Sequence, residues 1–129
     1  MAVFLFLFSN LINSHVFAED ADPASTAYIP LTPSFVVNYI SENAGLSYIK
    51  TDITLRTNEE QQAIIEANMP LVKDAIVMFL SSRTNDQVTG AIAREATRAA
   101  GAVAVNEALQ AETGTSPIQD ILFSSFVTQ

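Results

Sequence analysis

Three clusters of residues in this 129-residue chain have types and spacings that could do chemistry, and each weakens on inspection. Glu59 and Glu60 are a carboxylate pair of the kind general acid–base catalysis uses. Adjacent positions on a helix point about 100° apart, so the two do not converge, and acids at a helix start are explained by the positive end of its dipole. Asn85-Asp86-Gln87-Val88-Thr89-Gly90 resembles part of a calcium loop. Aligned on Gly90, the position that must hold the bidentate glutamate falls on Ala96, and the match fails. Arg94 and Arg98 lie one helical turn apart, either as an anion clamp or as a solvated face paired with Glu95, and the neighbouring acid favours the second.

The missing residue types exclude more. There is no cysteine, hence no disulfide, thiolate ligand or thiol nucleophile. The single histidine is His15. If the N-terminal segment is removed, the remaining chain has neither residue type, which excludes Ser-His-Asp catalysis and nearly every zinc site. The four glycines form no phosphate-binding loop. We therefore expect no enzyme, no metal, no cofactor and no small-molecule substrate.

Fourteen acidic against six basic residues give a net charge of −8. Such a surface repels nucleic acid and an anionic membrane leaflet, so neither is expected as a partner. The length suits one domain with a modest core.

Val3–Phe8 is an unbroken apolar run, extended by Leu11, Ile12, Val16 and Phe17 past several polar residues. A membrane-spanning helix needs about 20 mostly apolar residues, and this segment breaks before that. Val16-Phe17-Ala18 followed by Glu19-Asp20 fits a secretory cleavage site. The segment lacks a basic start, which leaves a weak signal, a truncated anchor or an ordinary buried strand as its readings. We expect residues 1–18 to be a signal peptide or shortened anchor, 19–33 an extended linker and 34–129 the folded domain. Membrane contact, if any, is expected through the N-terminal segment only.

The folded part reads as α+β. Pro23, Pro30 and Pro33 confine their stretch to a linker with a short edge segment at Tyr28-Ile29. Phe35–Ile40 is a β-type run. Leu46–Arg56 alternates, with Ile49, Thr51, Ile53 and Leu55 facing a core and Tyr48, Lys50, Asp52, Thr54 and Arg56 facing water. The two runs predict an antiparallel hairpin. Thr57 or Asn58 caps the next helix, which must break before Pro70 because Met69 is pushed out of the helical region.

Met69–Thr84 predicts the central helix. Leu71, Ala75 and Met78 form one apolar line, Val72, Ile76 and Phe79 the next, and Val77 with Leu80 widens them almost all round. It is either a core helix or a core helix that also lends a face to another subunit. On the second reading Met78, Leu80, Arg83, Arg94 and Arg98 are the interface residues. Ala91–Ala111 predicts an alanine-rich helix with Ile92, Ala96, Ala99, Val103 and Leu109 as its apolar line. Gly101 marks a close backbone approach, and Gly114 and Pro117 mark its end. Ile118–Gln129 is apolar on both faces, which predicts a strand in the middle of the sheet.

Four blocks resemble the periplasmic domain of the flagellar basal-body-associated FliL family. They are Tyr28-Ile29-Pro30-Leu31 through Phe35-Val36-Val37-Asn38; Tyr48–Arg56; Asn68-Met69-Pro70-Leu71 with Ser81-Ser82-Arg83-Thr84; and Ile121–Gln129. No block is specific alone, but their order and spacing are. The resemblance implies a stomatin/prohibitin-like domain: an antiparallel sheet packed against a kinked helix pair and the alanine-rich helix. It also implies a periplasmic, non-catalytic homo-oligomer around stator units, supporting motility. Two departures stand out: a short signal-like start replaces the family's basic tail and membrane helix, and Val88–Arg98 is less charged than usual. A periplasmic adaptor or binding domain unrelated to the motor is the alternative.

Overall fold

The computed structural model describes residues 25–42 and 46–129. The expected signal and residues 19–24 of the expected linker lie outside these residues. The elements run β1 (Thr26–Asn38), β2 (Tyr48–Asn58), α1 (Glu59–Ala67), α2 (Met69–Ser81), α3 (Asn85–Val88), α4 (Ala91–Thr113) and β3 (Asp120–Thr128). The strands form one antiparallel sheet of order β1-β2-β3, and the fold is α+β.

β2 is the central strand, and its alternation sets the two faces of the sheet. Ile49, Thr51, Ile53, Leu55 and Thr57 are buried against the helices, and the residues between them point to the other side. The buried hydroxyls are satisfied: Thr51 Oγ1 donates to the Ser125 carbonyl at 2.6 Å and Thr57 Oγ1 to the Pro117 carbonyl at 2.6 Å. Ser34 donates to Asp52 on the uncovered face.

Two strand expectations need correction. β1 starts at Thr26, inside the stretch read as linker, and takes in both Pro30 and Pro33. It tolerates them because it is an edge strand whose register shifts between Leu31 and Phe35. β3 is the other edge rather than the middle. Its two-sided apolar character has a different cause: Ile121, Phe123 and Phe126 pair with core-facing positions of β2, while Leu122 and Val127 stand on the open face beside Thr54 and Lys50.

The helix signals hold. Asn58 caps α1 by accepting from the Gln61 N–H at 2.9 Å, with Glu59 and Glu60 in the first turn. The chain breaks at Asn68, and Pro70 sits in the first turn of α2. Thr84 caps the one-turn helix α3 that Asn85-Asp86 opens, and its capping box joins Thr84 and Gln87. Gly114 ends α4 in the left-handed conformation, φ 76°.

Candidate interaction surface

α2 lies between β1 and α4. Val72, Ile76 and Leu80 form its buried line, while Lys73 reaches the Thr32 carbonyl of β1 at 3.0 Å. Leu80 is 1% exposed. This corrects its assignment to an interface: four residues on from Ile76, it repeats the core-facing position and belongs to the monomer's own interior. Met78 falls on the opposite side of the helix and is 63% exposed. Phe79 packs partly buried against the core.

The seam between α2, α4 and β3 closes at Gly101. A Cβ there would stand 2.7 Å from Ile121 Cδ1 and 3.1 Å from Phe79 Cε1, so only glycine lets these groups meet at this spacing. Arg83 then lies over the Phe79 ring at 4.1 Å, with its Nε donating to the Phe79 carbonyl at 3.2 Å. It lines one wall of an open cleft of about 360 Å³ whose other wall is α4, at Ala93, Ala96 and Ala100.

The other flank of α4 carries Arg94 and Arg98, which face β3. Arg98 is fully engaged: it pairs with Glu95 and Asp120 and donates to the Ile121 carbonyl at 3.3 Å. Arg56 approaches the other oxygen of Asp120 at 3.7 Å. The hydrogen bond from Arg98 holds the Glu95 carboxyl below its ordinary value, desolvation opposing it, and the same bond raises Arg98 further. A guanidinium so occupied is a structural clamp, not half of an anion trap. Arg94 donates weakly to the Val88 carbonyl at 3.5 Å and lies 5.4 Å from the centre of the Phe126 ring. The two arginines border one shallow depression with Phe123 and Phe126, and Arg83 stands across α4 from them.

α4 reverses the expected phase. Its buried line is Thr97, Gly101, Ala102, Val105 and Leu109. Of the expected apolar line only Leu109 is buried; Ile92 is 89% and Val103 57% exposed, with Ala96 and Ala99 open between them. Thr97 is accepted inside because its hydroxyl donates to the Gln87 carbonyl at 2.6 Å. Sequence hydropathy could not reveal that, since large apolar side chains stand on both sides of this helix, Ile92 and Val103 outside and Val105 and Leu109 inside. Asn106 fixes the helix against the approach to β3 by exchanging two hydrogen bonds with the Ile118 backbone, at 2.6 and 2.9 Å.

Among the described residues no group of three or more His, Asp or Glu is placed to hold a metal ion, and no helix is long and apolar enough to cross a membrane. What the fold presents is surface: an apolar outer face on α4, an exposed Met78 on α2, and arginines tied down on both flanks of α4.

The molecule is a two-layer α+β domain with one face of its sheet covered by helices. The chain is a member of the flagellar basal body-associated protein FliL family, whose family model matches residues 28–129, from the third residue of β1 to the last residue. No curated protein matches it. The family ties this chain to the flagellar basal body.

Proposed function

We propose that this chain is a non-catalytic scaffold of the flagellar motor: a periplasmic domain that assembles into a homo-oligomer at the basal body and supports stator function and motility. The observation that carries it is the family match across every described element. The contact surfaces are taken to be the exposed Met78 with Arg83 on one flank of α4, and Arg94 with Arg98 on the other. Leu80, being interior, has no part in them.

Export with cleavage after Ala18 accompanies this role, motivated by Val16-Phe17-Ala18 before two acids. N-terminal sequencing of the periplasmic fraction should begin at Glu19. Full-length protein held in the membrane pellet would restore an anchor.

Deleting the gene and scoring swimming and swarming tests the role directly. The expected result is impaired motility with filaments still assembled, restored by the wild-type gene. Unchanged swimming and swarming in the deletion strain would remove the motor from its function.

A further inference from the structure

The two edges of the sheet are not alike. β1 carries Pro30 and Pro33, and its register shifts between Leu31 and Phe35, both of which guard an edge against pairing with another strand. β3 has no proline, lysine or arginine. Its register shift lies beside Asp52 and leaves residues 125–128 in continuous register with β2, the one strand it pairs with.

That register identifies the main-chain groups left over. Tyr48 and Gln129 exchange both hydrogen bonds, at 2.9 and 3.0 Å. Antiparallel pairs alternate between bonded and non-bonded, so Val127 and Ser125 bond to Lys50 and Asp52, while Thr128 and Phe126 only face Ile49 and Thr51. The N–H and C=O of Phe126 and Thr128 therefore point away from β2, and among the described residues no main-chain group pairs with them. The other end of this edge is closed. The Ile121 N–H donates to the Asp120 side chain at 2.9 Å, and its carbonyl accepts from Arg98 at 3.3 Å.

Beside the open stretch lies the depression of about 330 Å³ between β3 and α4. It is lined by the Phe123–Phe126 pair, ring centres 4.9 Å apart, and by Arg94 at 5.4 Å from the centre of the Phe126 ring. Arg94 uses only its Nε, at 3.5 Å, on a protein acceptor, and its terminal nitrogens meet none among the described residues. Free main-chain groups on a strand edge, next to a depression that can take alternate side chains, are the two parts of a strand-addition site.

We propose that this groove binds an extended segment of a partner protein, added to β3 as a further strand. The segment sets an apolar side chain against Phe123 and Phe126 and, two positions along on the same face, a carboxylate on Arg94. The row of main-chain groups demands a strand, and the free guanidinium nitrogens set its charge. A second copy of the chain meets neither demand: its β1 edge is guarded, and its own β3 holds no acid along residues 123–128 to answer Arg94. The inference rests on the scaffold reading and names how one partner is held.

The probe is a synthetic eight-residue peptide in which leucine and glutamate alternate along one face and threonine fills the other. It is titrated into the isotope-labelled full chain up to about 1 mM, where weak strand addition is populated. Hydrogen exchange at the Phe126 and Thr128 amides should slow several-fold, while Ser125 and Val127, already bonded to β2, should not change. A peptide with lysine in place of glutamate should bind several-fold more weakly, and Arg94→Glu should reverse that preference with the circular dichroism spectrum unchanged. No slowing at Phe126 and Thr128, or equal slowing at all four amides, overturns the strand addition. A charge preference indifferent to Arg94→Glu overturns the assigned partner chemistry. The same slowing produced by raising the concentration of the chain without peptide makes a second copy the occupant and overturns the proposal. In each of these cases the scaffold reading stands, because the motility assay judges it separately.

Discussion

Gly101→Ala tests the packing of α2, α4 and β3 on one atom. In a helix interior the change gains about 1 kcal/mol of propensity. Here the new methyl arrives 2.7 Å from Ile121 Cδ1 and 3.1 Å from the Phe79 ring, so something must shift. Ile121 is 1% exposed, and relieving such overpacking costs about 1–3 kcal/mol. The net expectation is a loss of about 1 kcal/mol. Ile121→Val removes the Cδ1 atom itself and should cost about 1 kcal/mol alone. Combined, the two are not additive, because the alanine methyl enters the space that Cδ1 has left. The double variant should lie within about 0.5 kcal/mol of wild type, a coupling of about 1.5–2.5 kcal/mol. Urea unfolding of the four proteins measures the cycle, and each kcal/mol moves the thermal midpoint by about 4 °C in a domain of this size. Additivity within about 0.3 kcal/mol would refute the close approach at Gly101.

Leu80→Asp should leave no folded protein by circular dichroism, since it places a carboxylate at a fully interior position; a folded variant would contradict the packing of α2. Arg98→Ala should cost about 1–3 kcal/mol in chemical denaturation by stripping Asp120 of its main partner and the Ile121 carbonyl of a donor. Glu95, whose pKa is held below 4.5, contributes stability that is present at neutral pH and lost as the pH falls through that depressed value. The difference between wild type and Glu95→Gln should accordingly be seen near pH 7 and vanish once the pH has fallen below that depressed value. Asn58→Ala should cost about 1 kcal/mol through loss of the α1 cap, read from the same denaturation curves.

The elements whose signals are local were legible in the sequence. β2 declared its two faces because only one of them meets the helices. Asn58, the Asn68-Met69-Pro70 break and Gly114 each act on backbone groups within a turn of themselves, so their neighbours in sequence suffice to find them. Gly101 was legible as a close approach, although which groups approach depends on residues 22 positions apart at Phe79 and 20 at Ile121. Three features were not legible, for related reasons. α2 carries apolar residues around most of its circumference, so hydropathy could not say that Leu80 turns inward and Met78 outward. α4 is built largely of alanine, which suits either side, and the inward choice was settled by a satisfied hydroxyl at Thr97. β3 looks central because both its faces are apolar, yet the helices cover one of them and Leu122 and Val127 lie on the other.

The strand order also sets when the molecule can become complete. β2 pairs on one side with a strand made before it and on the other with the last nine-residue strand of the chain, so that Thr51 reaches its Ser125 partner across 74 positions of sequence. Until β3 is in place, Gly101 has no Ile121 to seat and Arg98 has no Asp120 to hold, so closure of the domain waits for a contact of long loop length. Loss of even a few C-terminal residues should consequently act on the whole domain rather than on its tip.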